Sequence, residues 1–286
     1  MSLRIIYGTA GTGKSTYLFQ EIQEKLKQKG QENIKVITPE QFSFTLEKKL
    51  LEFAPTSSVL AAEVITFNRM AYRILEEVGG KTKEHLTKSG RVMLLDEILL
   101  SQKNDFTFLG KTDENIDMIA TQITELKKHH VSTEALREIS QNTPDVYLQK
   151  KLQDIYKIYE TYTTRIQNQY IDENDNLTIL AEKLEESEKF QNCDIYLDEF
   201  VGFTLQEYQI LRELMKISKT ITVTVCADNL NESTNPDHDS FYANKQTVAR
   251  LMKIAREENV KVEEPINLNE VSASKEQDII SKKREI

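Results

Sequence analysis

The chain has 286 residues, enough for one large domain or two modest ones and for a hydrophobic core that needs no cross-links. Charged residues make up 29% and hydrophobic residues 39%, and the formal net charge of −9 argues against a broad electrostatic coat for nucleic acid. No run reaches the roughly 18 apolar residues of a membrane span and no signal-peptide pattern opens the chain, so a cytoplasmic location is expected.

Residues 3–7, Leu-Arg-Ile-Ile-Tyr, form a short apolar run ahead of a glycine-rich loop and predict a buried strand. A helix is expected over 15–29, with Leu18, Ile22 and Leu26 on one face and Gly30 as its stop. Residues 34–38 predict a second strand, after which Pro39 opens a helix over about 40–52. Residues 62–66 predict a third strand, and a helix over 67–78 ends at Gly79-Gly80. Strand and helix alternating in this way predict a parallel sheet with right-handed crossovers.

From about 82 to 188 no convincing strand is visible, and helices are expected at 88–102, 113–129, 132–140, 145–169 and 174–188. In the longest, Leu148, Leu152, Ile155, Tyr159, Tyr162 and Ile166 alternate spacings of four and three, the mark of a helix-packing seam. Strands resume at 194–198 and 220–226, each followed by a helix (204–217 and 241–258), and 260–262 supplies a last short strand. The fold class is therefore α/β, a parallel sheet with an all-helical inserted domain. Its expected division is 1–81 and 191–270 for the two parts of the sheet domain, 82–190 for the insertion, and 271–286 for a polar tail or the start of a next segment.

The loop after the first strand reads Gly8-Thr9-Ala10-Gly11-Thr12-Gly13-Lys14-Ser15. It meets the pattern G-x-x-x-x-G-K-[ST] in full, between a predicted strand and a predicted helix, the one context in which the pattern has physical meaning. Its glycines let backbone amides close around phosphate oxygens, aided by the helix N-terminus. The expected ligand is ATP with Mg2+, held by Gly8 through Thr16, with Lys14 on the β- and γ-phosphates and the Ser15 hydroxyl on the metal.

Such a loop needs a metal-binding carboxylate at the end of a neighbouring strand. Asp198 follows the apolar run Ile195-Tyr196-Leu197, and Glu199 comes next. Asp198 is thus the second candidate metal ligand. Glu199, beside Lys14, is the candidate catalytic residue that orients or deprotonates an attacking water.

Other residues are set aside. His129 and His130 point about 100° apart on a helix and make a poor chelate. Lys127-Lys128 reads as a surface charge run. Asp172, Glu173 and Asp175 read as helix-start residues, since the glycine of a calcium loop is missing. Cys193 and Cys226 lie in apolar runs and read as buried thiols. A small-molecule kinase would need an arginine-bearing lid, and Arg91, Arg137 and Arg165 sit in helical patterns without glycine hinges. A third reading is a scaffold that a nucleotide merely stabilises.

Three further segments carry a family resemblance. Residues 36–42 read Val-Ile-Thr-Pro-Glu-Gln-Phe, residues 63–75 read Glu-Val-Ile-Thr-Phe-Asn-Arg-Met-Ala-Tyr-Arg-Ile-Leu, and residues 195–208 read Ile-Tyr-Leu-Asp-Glu-Phe-Val-Gly-Phe-Thr-Leu-Gln-Glu-Tyr. The second resembles a DNA-contacting motif of superfamily-one helicases of the Rep type, and the whole order resembles the N-terminal part of the B subunit of AddAB-type helicase–nucleases. The resemblance covers essentially the whole chain. It implies a RecA-like P-loop domain with a helical insertion, an A-subunit partner in a heterodimer, and action on DNA ends in double-strand-break repair and recombination. It also implies that Thr38, Gln41, Thr66, Phe67, Arg69 and Arg73 line a path for single-stranded DNA. Members of the family carry further helicase-like and nuclease domains, the latter with an iron–sulfur cluster, outside the stretch that this chain matches.

The sequence also departs from helicase patterns. The first strand leaves no room for an adenine-reading glutamine before the loop, and Ala227-Asp228-Asn229 stands where Gly-Asp-x-x-Gln is usual. Nucleotide binding with little hydrolysis by the fragment alone is expected.

Overall fold

The computed structural model describes residues 1–27, 33–53, 61–79, 84–107, 109, 116–129, 131–167, 170–172, 175–231 and 236–269. The expected stops at Gly30 and Gly80, His130, Glu173 and the tail 271–286 lie outside them. In chain order the elements are β1 (Ser2–Gly8), α1 (Lys14–Lys27), β2 (Ile34–Ile37), α2 (Ser43–Phe53), β3 (Ala62–Ile65), α3 (Phe67–Val78), β4 (Glu84–Leu86) and α4 (Lys88–Ser101). There follow α5 (Ile116–Lys128), α6 (Thr133–Asn142), α7 (Val146–Gln167), β5 (Tyr170–Asp172), α8 (Asn176–Lys183) and β6 (Asp194–Leu197). The last are α9 (Leu205–Ile217), β7 (Thr220–Cys226), α10 (Tyr242–Glu257), β8 (Lys261–Val262) and β9 (Ile266–Asn267).

The chain divides into two compact units. One comprises Met1–Met70, Lys183–Phe203 and Glu207–Ile286; the other comprises Ala71–Glu182 and Thr204–Gln206. In the first, the described strands form one parallel sheet in the order β3-β2-β6-β7-β1-β8, with β9 also pairing β1. The class is α/β, as the alternation of elements predicts. A parallel sheet is covered on both faces, so its central strands read as unbroken apolar runs rather than alternating ones. β6 is buried at all four positions, and β7 at the five between its ends.

On one face, Leu18, Phe19 and Ile22 of α1 pack with Leu46 of α2 and Val36 of β2. A polar cluster fixes α1 on the sheet. Glu21 accepts from Arg4 at 2.6 and 2.7 Å and from the Tyr196 hydroxyl at 2.7 Å, so one helical carboxylate ties down β1 and β6 together. Burial, and then the Glu21 charge, push the Tyr196 hydroxyl far above its ordinary pKa, which keeps it a donor.

The second unit has its own apolar core, centred on Leu95 and Ile98 of α4, Ile123 of α5, and Ile158 and Tyr162 of α7. The seam on α7 is real from Leu152 onward, but Leu148 is 45% exposed. Against expectation, β4 and β5 pair in parallel in this unit. Three residues each are too few for period-two alternation to be visible. β9 escapes for the same reason. The helix expected from residue 40 starts as a 3-10 turn, Glu40–Phe42, because Pro39 is extended (ψ 149°) and the amide of Phe42 bonds back to its carbonyl.

Candidate functional site

β1 ends at Gly8 and the chain turns through Thr9–Gly13 into α1. Gly11 and Gly13 both have φ +84°, the left-handed region that a Cβ disfavours by about 1–2 kcal/mol. Nothing lies within 4 Å of a Cβ built on Gly13, so backbone conformation alone sets the cost of a side chain there. Gly13→Ala is therefore expected to lower the thermal midpoint by a few degrees in a scan without ligand.

Within the loop, the Thr12 hydroxyl donates to the Thr9 carbonyl at 3.0 Å. The Lys14 ammonium folds back on the Gly8 and Thr9 carbonyls at 2.9 and 2.8 Å. Asn269, from the far end of the described chain, clamps the loop. Its Oδ1 accepts from the Thr9 amide at 2.8 Å, while its Nδ2 donates to the carbonyls of Ala227 and Asp228 at 3.2 and 3.0 Å.

Asp198 and Glu199 follow β6. That strand is not the neighbour of β1 but the next but one, because β7 lies between them. With strands about 4.8 Å apart the separation is on the order of 10 Å, and β7 fills it with Thr224 and Cys226. The Thr224 hydroxyl donates to Asp198 Oδ1, while Asp198 Oδ2 is buried with no hydrogen-bond partner. Glu199 is one of three non-glycine residues with positive φ among the described residues, at +67°. Strain of this kind is tolerated where a side chain must be aimed. Here the Glu199 carboxylate accepts from the Ser15 hydroxyl, at a long 3.4 Å.

Lys14, Ser15, Asp198 and Glu199 thereby line one cavity of about 510 Å3, together with Lys49, Thr224, Cys226 and Asn244. That size falls within the roughly 300–1,000 Å3 of small-molecule clefts. An ammonium and a helix N-terminus at one wall suit an anion. A hydroxyl in the same cavity as a carboxylate with one oxygen lacking a donor suits a hard cation such as Mg2+, which takes few protein ligands and keeps phosphate and water for the rest. No cluster of three or more His, Cys, Asp or Glu that could hold a metal occurs among the described residues. Three residues of this wall and its clamp escape sequence reasoning: Lys49, Asn244 and Asn269. No local pattern marks them; they arrive by tertiary contact.

A second cluster lies at the ends of β2 and β3. Thr38 is fully buried, its amide donating to the Ile65 carbonyl at 3.1 Å. Thr66 is also buried and caps α3, its hydroxyl accepting from the Arg69 amide at 3.3 Å and donating to Glu40 at 2.6 Å. Phe67 is 5% exposed, with its ring 5.7 Å from that of Phe200. Gln41 and Arg69 face solvent, and Arg69 pairs with Glu47 at 2.7 Å. Arg73 lies one turn further along α3 and is half-buried.

Two of the residues set aside behave differently from expectation. Lys127 is buried rather than a surface charge, and it meets Asp175 at 2.8 and 2.9 Å; a lone charge at that depth would be costly without such a partner. Cys193 is a buried thiol pushed by desolvation up to about 12, whereas Cys226 is only half-buried. His129 is exposed. Arg91 and Arg165 are engaged inside the helical unit, by Thr124 at 3.0 Å and Glu97 at 2.6 Å. No helix among the described residues is long and apolar enough to cross a membrane.

Among known proteins, the family model described as ADDB, N-terminal, matches residues 5–281. The B subunit of the ATP-dependent helicase/deoxyribonuclease of Clostridium tetani (strain Massachusetts / E88) is 39% identical over 276 residues, covering 94% of this chain and 24% of its own length. The protein of the same description from Clostridium acetobutylicum is 38% identical over 272 residues, with coverages of 94% and 23%. That from Thermoanaerobacter sp. (strain X514) is 36% identical over 273 residues, with 94% and 24%. The chain thus spans about a quarter of the length of the curated relatives it matches.

Proposed function

The chain belongs to the ADDB N-terminal family, and from that premise we propose that it is the ATP-binding, helicase-like N-terminal part of the B subunit of a helicase–nuclease that works on DNA ends in recombinational repair. Residues 1–81 and 191–270 make the RecA-like P-loop domain in this reading, and 82–190 its helical insertion. The observation that carries it is the single cavity shared by Lys14, Ser15, Asp198 and Glu199.

In this mechanism the amides of the loop and of the first turn of α1 would hold the phosphates, and Lys14 would exchange its carbonyl partners for β- and γ-phosphate oxygens. Ser15 and Asp198 would hold Mg2+, which would neutralise phosphate charge. Glu199 gives up its long contact with Ser15 and aligns a water. No arginine lines the cavity among the described residues, and an arginine finger is worth about 10³–10⁵ in rate. Binding with slow turnover is the expected behaviour. Titrating the 286-residue chain with a fluorescent ATP analogue tests this directly: saturable binding, tightened by Mg2+, is expected, and its absence at millimolar nucleotide sinks the reading.

The DNA path is proposed along Thr38, Gln41, Thr66, Phe67 and Arg69. Thr38, Thr66 and Phe67 shape the turns from below, and the exposed Gln41 and Arg69 face the strand. Arg69→Ala is expected to lower single-stranded DNA affinity and to reduce the magnitude of the salt slope by about 0.7, one phosphate contact. Its exposed ion pair with Glu47 contributes only about 0–1 kcal/mol to folding, so stability should hold. Anisotropy titrations across a salt series measure the slope, and an unchanged slope removes Arg69 from the path.

The A subunit is the proposed partner. An iron–sulfur cluster takes four thiolates and does not fit the two cysteines of this chain, so that cofactor is assigned to the remainder of the parent protein, with the nuclease chemistry.

A further inference from the structure

Asn244 enters the cavity from the first turn of α10, and no motif assigns it a role. Its Nδ2 donates to the Cys226 carbonyl at 2.6 Å. That bond sets the orientation of the amide, because the flipped side chain would press oxygen against oxygen. Oδ1 is therefore the atom not on the Cys226 carbonyl, and it is buried without a hydrogen-bond partner. Asp198 Oδ2 has the same condition in the same cavity, and its other oxygen is occupied by Thr224, two residues before Cys226 on β7.

Two buried acceptors without donors therefore belong to residues that line the same cavity as Ser15. Each such atom costs about 1–3 kcal/mol unless something donates to it. A phosphate oxygen cannot donate, and the Lys14 ammonium is engaged with Gly8 and Thr9. Water bound to a divalent cation is a strong donor, and Mg2+ keeps several such waters in phosphate sites. We propose that Asn244 is a positioning residue for the nucleotide-bound Mg2+, with Oδ1 accepting from a metal-bound water. The proposal rests on the nucleotide reading above. It places an amide from α10 in the cavity of a chain in which the strand-end Gly-Asp-x-x-Gln is replaced by Ala227-Asp228-Asn229.

The test measures fluorescent ATP-analogue affinity of the 286-residue chain in Mg2+ and in EDTA, for the unmodified protein and for Asn244→Ala. Loss of an outer partner of a metal site weakens metal affinity by about 10- to 100-fold. Asn244→Ala should thus lose about tenfold or more in Mg2+ and nothing in EDTA, and with Mn2+ as a substitute its paramagnetic resonance spectrum in the nucleotide complex should change. Equal losses in both conditions, or none in Mg2+, overturn the proposal while leaving the nucleotide site standing. No binding by the unmodified chain overturns both. If the alanine variant does not fold, Asn244→Ser, which keeps a donor for the Cys226 carbonyl, carries the same comparison.

Discussion

Lys14→Ala is expected to weaken ATP binding by about 100-fold, or ~3 kcal/mol, the magnitude of losing one or two charge-assisted hydrogen bonds to phosphate. The free protein should barely change. Lys14 bonds only the carbonyls of Gly8 and Thr9 there, and each keeps another donor, the Ala227 amide at 3.1 Å and the Thr12 hydroxyl at 3.0 Å. A thermal scan without nucleotide should therefore keep its midpoint, while the upward shift produced by added ATP disappears. An unaltered affinity would make the loop a structural turn with a solvent lysine. In the assembled helicase–nuclease, unaltered ATP turnover and repair would support the scaffold reading instead.

Asp198→Asn should act in opposite directions on stability and on binding. In the free protein the carboxylate is buried, with one oxygen held by Thr224 and the other without a donor. A charge in that position is poorly compensated. The amide keeps an acceptor for Thr224 and removes the charge, so stability should rise by roughly 1–2 kcal/mol, a few degrees in the thermal midpoint. Affinity for Mg2+ with nucleotide should fall by about 10- to 100-fold, the usual exchange when a strained functional group is relieved. Paired thermal scans with and without Mg2+ and nucleotide read both effects. A less stable free protein that still gains fully from Mg2+ would remove Asp198 from the metal site.

The parts of this molecule legible in the sequence are those set by neighbours along the chain. The run at 3–7, the glycine loop and the spacing of Leu18, Ile22 and Leu26 are local, and β1 and α1 follow from them. The apolar run before Asp198 likewise marks a strand end. That β7, and not β6, lies against β1 was not legible, because strand order is settled by crossovers, not by any one segment. Lys127 looks like half of a surface charge pair until Asp175, 48 positions away, comes up to meet it. Asn244 looks like a polar residue on a helix until the Cys226 carbonyl turns its amide.

The clamp on the loop bears on how the protein is made. Thr9 is held by a residue 260 positions later, and Arg4 of β1 lies against Thr222, 218 positions later. A ribosome adding about 5–20 residues per second takes on the order of tens of seconds to supply those partners. Through that interval β1 is an apolar strand with both edges open, the kind of segment that chaperones shield and that aggregates when unshielded. The sheet domain must therefore fold after most of it has been synthesised, at the slow pace of long-range pairing.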